Sequence, residues 1–286
     1  MPLNTATVGE STETFTHAVD ARWLMAYAAG IGDFNPRYLD TVANVVIGHP
    51  VFPVCLEWPV ILATRHLPGC GTVTAEEGAR GVHAAHDLQI ARPIRTGERL
   101  HTRATVIALE RIRPGAAQTT RLDTFDDSGE LVCRTYQLGI SRGVDVLGEP
   151  RQVERPPDVP LAETPIDTGE THEIAVPEGM AHVYTECARI FNPIHTDRAV
   201  AVSAGLPDII LHGTATLALA VSRLVNVCLD GDATRVTRLG GRFTAMVLMP
   251  CTLRLEVRDR RDGTLFYEVI GADGAAAISR GYVCYR

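Results

Sequence analysis

Two short stretches hold the residues best suited to chemistry. The first, Arg189-Ile190-Phe191-Asn192-Pro193-Ile194-His195-Thr196-Asp197, sets a histidine just behind an Asn-Pro turn. Pro193 fixes its own φ and drives Asn192 to extended backbone, so His195 stands on a stiff loop and not on a helix face. The second, Ile209-Ile210-Leu211-His212-Gly213-Thr214, opens a long apolar run. Gly213 then lies at the mouth of an expected helix, where backbone N–H groups lack intrahelical partners. A base on a fixed loop and N–H donors at a helix N-terminus suit reactions beside a carbonyl. Asn-Pro alone is a common turn signal, and His-Gly alone is a common start to a helix. Their combination, together with an internal repeat, favours function.

The elements that position these residues occur twice. Residues 11–19 read as a strand, and Asp20 as the N-cap of a helix reaching Ala29 with Trp23, Leu24 and Tyr27 on one face. A loop through Asp33-Phe34-Asn35-Pro36 follows, then an apolar helix near 55–66. Proline is tolerated in a first helical turn, so Pro59 places the regular start of that helix near Trp58. Strands are expected over 82–91, 99–110, 118–125 and 130–140, with a hairpin turn at Asp126-Asp127-Ser128-Gly129. Residues 143–168 carry Pro150, Pro156, Pro157, Pro160 and Pro165 and read as a semi-rigid linker. The order then returns: a strand at 171–176, a helix at 178–187, the Asn192-Pro193 loop, a long apolar helix at 213–228, and strands from 236 to 285. Asn35 and Asn192, Asp40 and Asp197, and Pro93 and Pro250 all stand 157 residues apart. One shared spacing points to duplication. The expected organisation is 1–142 as the first repeat, 143–168 as linker and 169–286 as the second repeat. Two similar α+β units packed as a pseudo-dimer follow from it.

Bulk composition excludes several classes. The chain has 286 residues, of which 45% are hydrophobic and 21% charged, a globular balance. Its net charge of −7 gives no footprint for nucleic acid. No apolar run is long enough for a bilayer, and the first residues lack the pattern of a signal peptide. The seven cysteines show no Cys-x-x-Cys pair, so reduced thiols in a cytoplasmic protein are expected.

Tyr184, Asn192-Pro193-Ile194-His195, Leu211-His212-Gly213 and the duplication together resemble the MaoC-like family. That family includes R-specific enoyl-CoA hydratases and 3-hydroxyacyl-thioester dehydratases. The resemblance covers nearly the whole chain, in the tandem or double-hotdog form, where each antiparallel sheet wraps one long helix. It implies that an Asp and a His handle water and proton while a Gly N–H binds the thioester oxygen. The second repeat matches at Asn192, Pro193, His195 and Gly213, but Ile190 stands at the aspartate position and Arg189 at the preceding glycine. The first repeat keeps Gly32, Asp33, Asn35 and Pro36, has Tyr38 for the histidine, and has Val54 or Leu56 for the helix glycine. It therefore reads as a degenerate site.

The resulting expectation is a hydro-lyase on acyl-CoA or acyl-carrier-protein thioesters. His195 would activate water, Gly213 would bind the thioester oxygen, and Asn192 would orient the loop or the water. Ile190, His212 and Arg189 would line the substrate, Arg189 taking a carboxylate or phosphate. Asp33 and Glu57 are the candidate replacement acids. Asp33 belongs to the other pseudo-symmetric site, and the plainer reading of Glu57 is a solvated carboxylate at the head of its helix. No cofactor and no metal are implied, and further homodimerisation is common in such families. Two alternatives stay open: a hotdog thioesterase using the same oxyanion donor, and a non-catalytic acyl-thioester binder, which Ile190 favours. His83 and His86 in a strand are expected to face opposite sides, which argues against a shared metal. Gly30-Ile31-Gly32 lacks the third glycine of a dinucleotide loop.

Overall fold

The computed structural model describes residues 2–70, 74, 77–78, 80–162 and 169–286. The chain divides into two units, each discontinuous in sequence. One gathers Met1–His17, Leu56–Leu88 and Arg99–Val159; the other gathers Ala18–Cys55, Gln89–Glu98 and Pro160–Arg286.

In the first unit, β4 (Glu98–Ile112), β5 (Gly115–Asp126) and β6 (Leu131–Arg142) form an antiparallel meander, with Ala104 opposite Leu122 and Leu122 opposite Thr135. Strand β2 (Phe15–Val19) lies beside β4, and β3 (Gly81–Ile90) lies beside β6. Helix α3 (Pro53–Ala63) lays Val60 against Ala104 and Leu122. It begins one turn earlier than the sequence suggests, and Pro59 lies inside it. Burial of this helix outweighs the hydrogen bond that Pro59 cannot donate. The 143–168 stretch is partly ordered as strand. Strand β7 (Val146–Leu147) pairs in parallel with β1 (Leu3–Asn4), and β8 (Arg151–Gln152) pairs with Ala108 and Leu109 of β4. Residues 163–168 of that stretch lie outside the described residues. His83 and His86 do not diverge as expected; their rings meet edge-on with centroids 5.3 Å apart.

The second unit carries an antiparallel sheet in the order β10 (Val236–Phe243), β13 (Ala276–Tyr285), β12 (Thr264–Ile270), β11 (Cys251–Arg261) and β9 (Thr171–Val176). Along β11, buried Leu253, Leu255 and Val257 alternate with Thr252, Arg254 and Glu256, so only one face meets the core. Against this sheet lies α6 (Gly213–Cys228), which contacts β9 and β13. Residues 215–222 of α6 are all buried, so that stretch turns no face to solvent. Helix α1 (Ala21–Gly30) starts where Asp20 accepts from the Trp23 N–H at 2.8 Å, and it packs on α4 (Met180–Ala188). The loop after α1 holds a short helix, α2 (Pro36–Leu39), which the sequence reading leaves as loop. Pro36 at its first position and the Asn35 side chain capping the Arg37 N–H, 3.0 Å away, account for it.

Candidate functional site

The site begins at the end of α4. Arg189 closes that helix in the left-handed region (φ 57°), and the Ile190 N–H turns back to the Thr185 carbonyl at 3.1 Å. Its counterpart one repeat earlier, Gly32, has φ 70°. The same turn therefore occurs twice, built once with glycine and once with arginine. The Arg189 guanidinium stacks 3.9 Å from the Trp23 ring centroid. Ile190 is buried. Asn192 caps the one-turn helix Pro193–His195, and Asp197 caps α5 (Arg198–Ser203) through the Ala199 and Val200 N–H groups. His195 is thus fixed from both sides.

A second contact sets its chemistry. His195 Nδ1 lies 2.8 Å from the Ile210 carbonyl oxygen, which can only accept. Nδ1 must carry the proton, leaving Nε2 with the free lone pair, as a base requires. The Leu211 N–H bonds to the Val247 carbonyl at 2.8 Å and holds this segment at the threshold of α6. His212 stacks on His195 with centroids 3.7 Å apart and planes at 26°, while its Nε2 meets the Thr185 hydroxyl at 3.1 Å. Next along the chain, Gly213 opens α6, whose first-turn N–H groups have no partner inside the helix. Tyr184 donates to the Thr214 hydroxyl at 3.1 Å. Burial lowers the His195 pKa to about 4, partly offset by the Ile210 carbonyl. Burial and the neighbouring His195 push His212 down as well. Both rings are therefore neutral at pH 7, and this end of α6 pairs a neutral base with unpartnered N–H donors.

The expected site residues separate into groups. His195, His212, Ile190, Asn192 and Gly213 gather at the N-terminal end of α6. Asp33 does not join them: its Oδ1 accepts from the Asn35 N–H (3.1 Å) and from Asn226 Nδ2 (3.2 Å). Asn226 lies thirteen positions along α6 from Gly213, about 20 Å at helical rise. Around Asp33 the first repeat reproduces the second with altered chemistry. Tyr38 stands in place of His195, and its ring meets His49 at 5.5 Å. His212 directly precedes α6, whereas His49 lies four positions before the start of α3 and is followed by Pro50, which offers no N–H. His49 accepts from the Val51 N–H at 3.1 Å, so its Nε2–H donates to Ser222 at 3.0 Å, and neither nitrogen is left as a base.

Glu57 lies in the first unit, one turn into α3. It is not a solvated helix-start carboxylate. It is 1% exposed, accepts from the Thr135 hydroxyl, and is raised to about 7 by burial. Thr185 and Phe243 are functional candidates that the sequence reading misses. Thr185 meets His212 and Phe243 meets Gly213 through contacts that no local pattern encodes. Among the described residues, no group of three or more His, Cys, Asp or Glu side chains could hold a metal ion, and no helix is long and apolar enough to cross a membrane.

Comparison with known proteins places this arrangement. Residues 157–274 match the MaoC like domain family, and residues 6–135 match the FAS1-like, dehydratase domain region. The 3-hydroxyacyl-thioester dehydratase Y of Mycobacterium tuberculosis is 26% identical over 287 residues, covering 97% of this chain and 95% of that protein. Two further curated relatives are longer, and the chain spans 34% and 38% of their length. The crystal structure of a MaoC-like dehydratase from Phytophthora capsici superposes with a TM-score of 0.83 at 22% identity, covering 98% of both chains. A Mycobacterium tuberculosis protein described as having a double hotdog fold superposes at 0.62 with 16% identity, covering 96% of this chain and 95% of that one. The fold is a double hotdog. The chain therefore carries a MaoC like domain in its second half and a FAS1-like dehydratase region in its first.

Proposed function

We propose that this chain is a hydro-lyase on acyl thioesters, adding water to a trans-2-enoyl thioester to give the (R)-3-hydroxyacyl product, or running the reverse dehydration. The observation that carries this reading is the tautomer of His195. With Nδ1–H bound to the Ile210 carbonyl, Nε2 is a ready base near the N–H donors of α6. In the hydration direction, His195 Nε2 takes a proton from water and the oxygen bonds to the β-carbon. The C=C electron pair moves into an enolate, whose oxygen accepts from the Gly213 N–H. The imidazolium then returns the proton to the α-carbon. One oxyanion donor of this kind lowers the barrier by about 3 kcal/mol. The buried imidazolium and the enolate form together, so each charge offsets the other's desolvation.

Asn192 holds the loop that presents His195. In this reading 169–286 is the working repeat and 1–142 the degenerate one, joined through 143–168. The carrier is coenzyme A or an acyl carrier protein, and the enzyme is cytoplasmic. Ile190 in place of a carboxylate favours a second reading, a binder without turnover. Chiral analysis of the product from a trans-2-enoyl-CoA, with free thiol measured in parallel, separates the readings. The expected result is the (R)-3-hydroxyacyl-CoA with no thiol released. Free thiol alone would mark a thioesterase, and an unchanged substrate would favour the binder.

A further inference from the structure

Gly213 is crowded on one side. A Cβ at that position would lie 3.1 to 3.3 Å from three ring atoms of Phe243, so the ring covers the Gly213 α-carbon. Phe243 ends β10, paired opposite Ile278, and the β10–β13 register shifts between Gly240 and Arg242. Bulges of this kind re-aim the side chains that follow them. The adjacent Thr244 N–H bonds to the Ala277 carbonyl at 3.1 Å and fixes the ring's base. An aromatic ring held by sheet pairing therefore lies against Gly213.

We infer that Phe243 is a specificity-determining residue that restricts the enzyme to thioesters unbranched at the α-carbon. The inference rests on the hydro-lyase reading. A thioester oxygen held by the Gly213 N–H brings the carbonyl carbon and both its substituents within a few ångströms of the ring. One substituent is sulfur, the same in every thioester. The other is the α-carbon, the only position so close to the ring at which substrates differ in bulk.

The test compares kcat/KM for an unbranched trans-2-enoyl-CoA with its 2-methyl analogue, for the wild type and for Phe243→Leu and Phe243→Val. The ratio within each protein is the readout, so a loss common to both substrates cancels. The wild type is expected to prefer the unbranched substrate by roughly 10- to 200-fold, the range of one methyl group in a tight pocket. Each variant should narrow that ratio by at least about fivefold. Equal use of both substrates by the wild type would overturn the inference without any variant, as would a ratio unchanged in both variants. No turnover of the unbranched substrate by the wild type would instead overturn the hydro-lyase reading on which it stands.

Discussion

At the scale of single residues, His195 governs the pH response. The base works only when neutral, and burial lowers its pKa to about 4. Protonation therefore sets in only as pH falls toward that value. The pH profile of kcat/KM should be flat from about pH 5.5 to 8, with an acid limb centred near 4. A midpoint near 6.5 would mean an exposed, ordinary histidine. Ile190 is buried and fills packing space at the position where the resemblance implies a carboxylate. Ile190→Val should cost about 0.5–1.5 kcal/mol in thermal or denaturant melts and leave kcat/KM within a few-fold. A large loss of turnover with stability intact would assign Ile190 a chemical role. His195, Asn192 and Gly213 were legible in the sequence because proline and glycine carry their backbone requirements locally. The contacts that complete the site were not: the Ile210 carbonyl meets His195, the Thr185 hydroxyl meets His212 and the Phe243 ring meets Gly213, all through tertiary contacts.

At the scale of elements, α1 and α4 approach so closely that there is no space for a side chain at Gly30. A Cβ there would lie 2.8 Å from Cys187 Cβ and 2.9 Å from its Sγ. Gly30 and Cys187 are separated by the repeat spacing, as are Tyr27 and Tyr184, whose hydroxyls meet at 3.5 Å. Gly30→Ala should destabilise the protein by about 1–3 kcal/mol from overpacking, although alanine is the better helix former. Cys187→Gly in the same background should recover part of that loss, and melts of the single and double variants check both. Most elements were legible from periodicity and caps, since Asp20 and Gly213 mark helix starts by local chemistry. The start of α3 was misjudged because Pro59 is tolerated by burial, and β7 and β8 were missed because two-residue strands carry no period.

At the scale of the molecule, buried titratable groups make stability depend on pH. His49 and His86 are both lowered to about 4 by burial, against 6.5 when exposed. The unfolded chain therefore takes up their protons first as pH falls. Their contribution is full above about pH 6.5 and is lost toward 4, at up to about 1.4 kcal/mol per pH unit for each group. Glu57, raised to about 7, acts in the opposite sense: its contribution is full below about 4.5 and is lost as pH rises through 7. The histidines outnumber it, so the melting temperature should rise from pH 5 to 6.5. Glu57→Gln should be relatively more stable at pH 8 than at pH 5. A melting temperature that falls between pH 5 and 6.5 would contradict this balance. What the molecule does as a whole turns on one comparison, the loss of enoyl-thioester absorbance with a trans-2-enoyl-CoA by the wild type and by His195→Ala. The wild type should turn over steadily, and the variant should lose at least about 100-fold. Equal turnover by both proteins, or none by the wild type, would contradict this expectation.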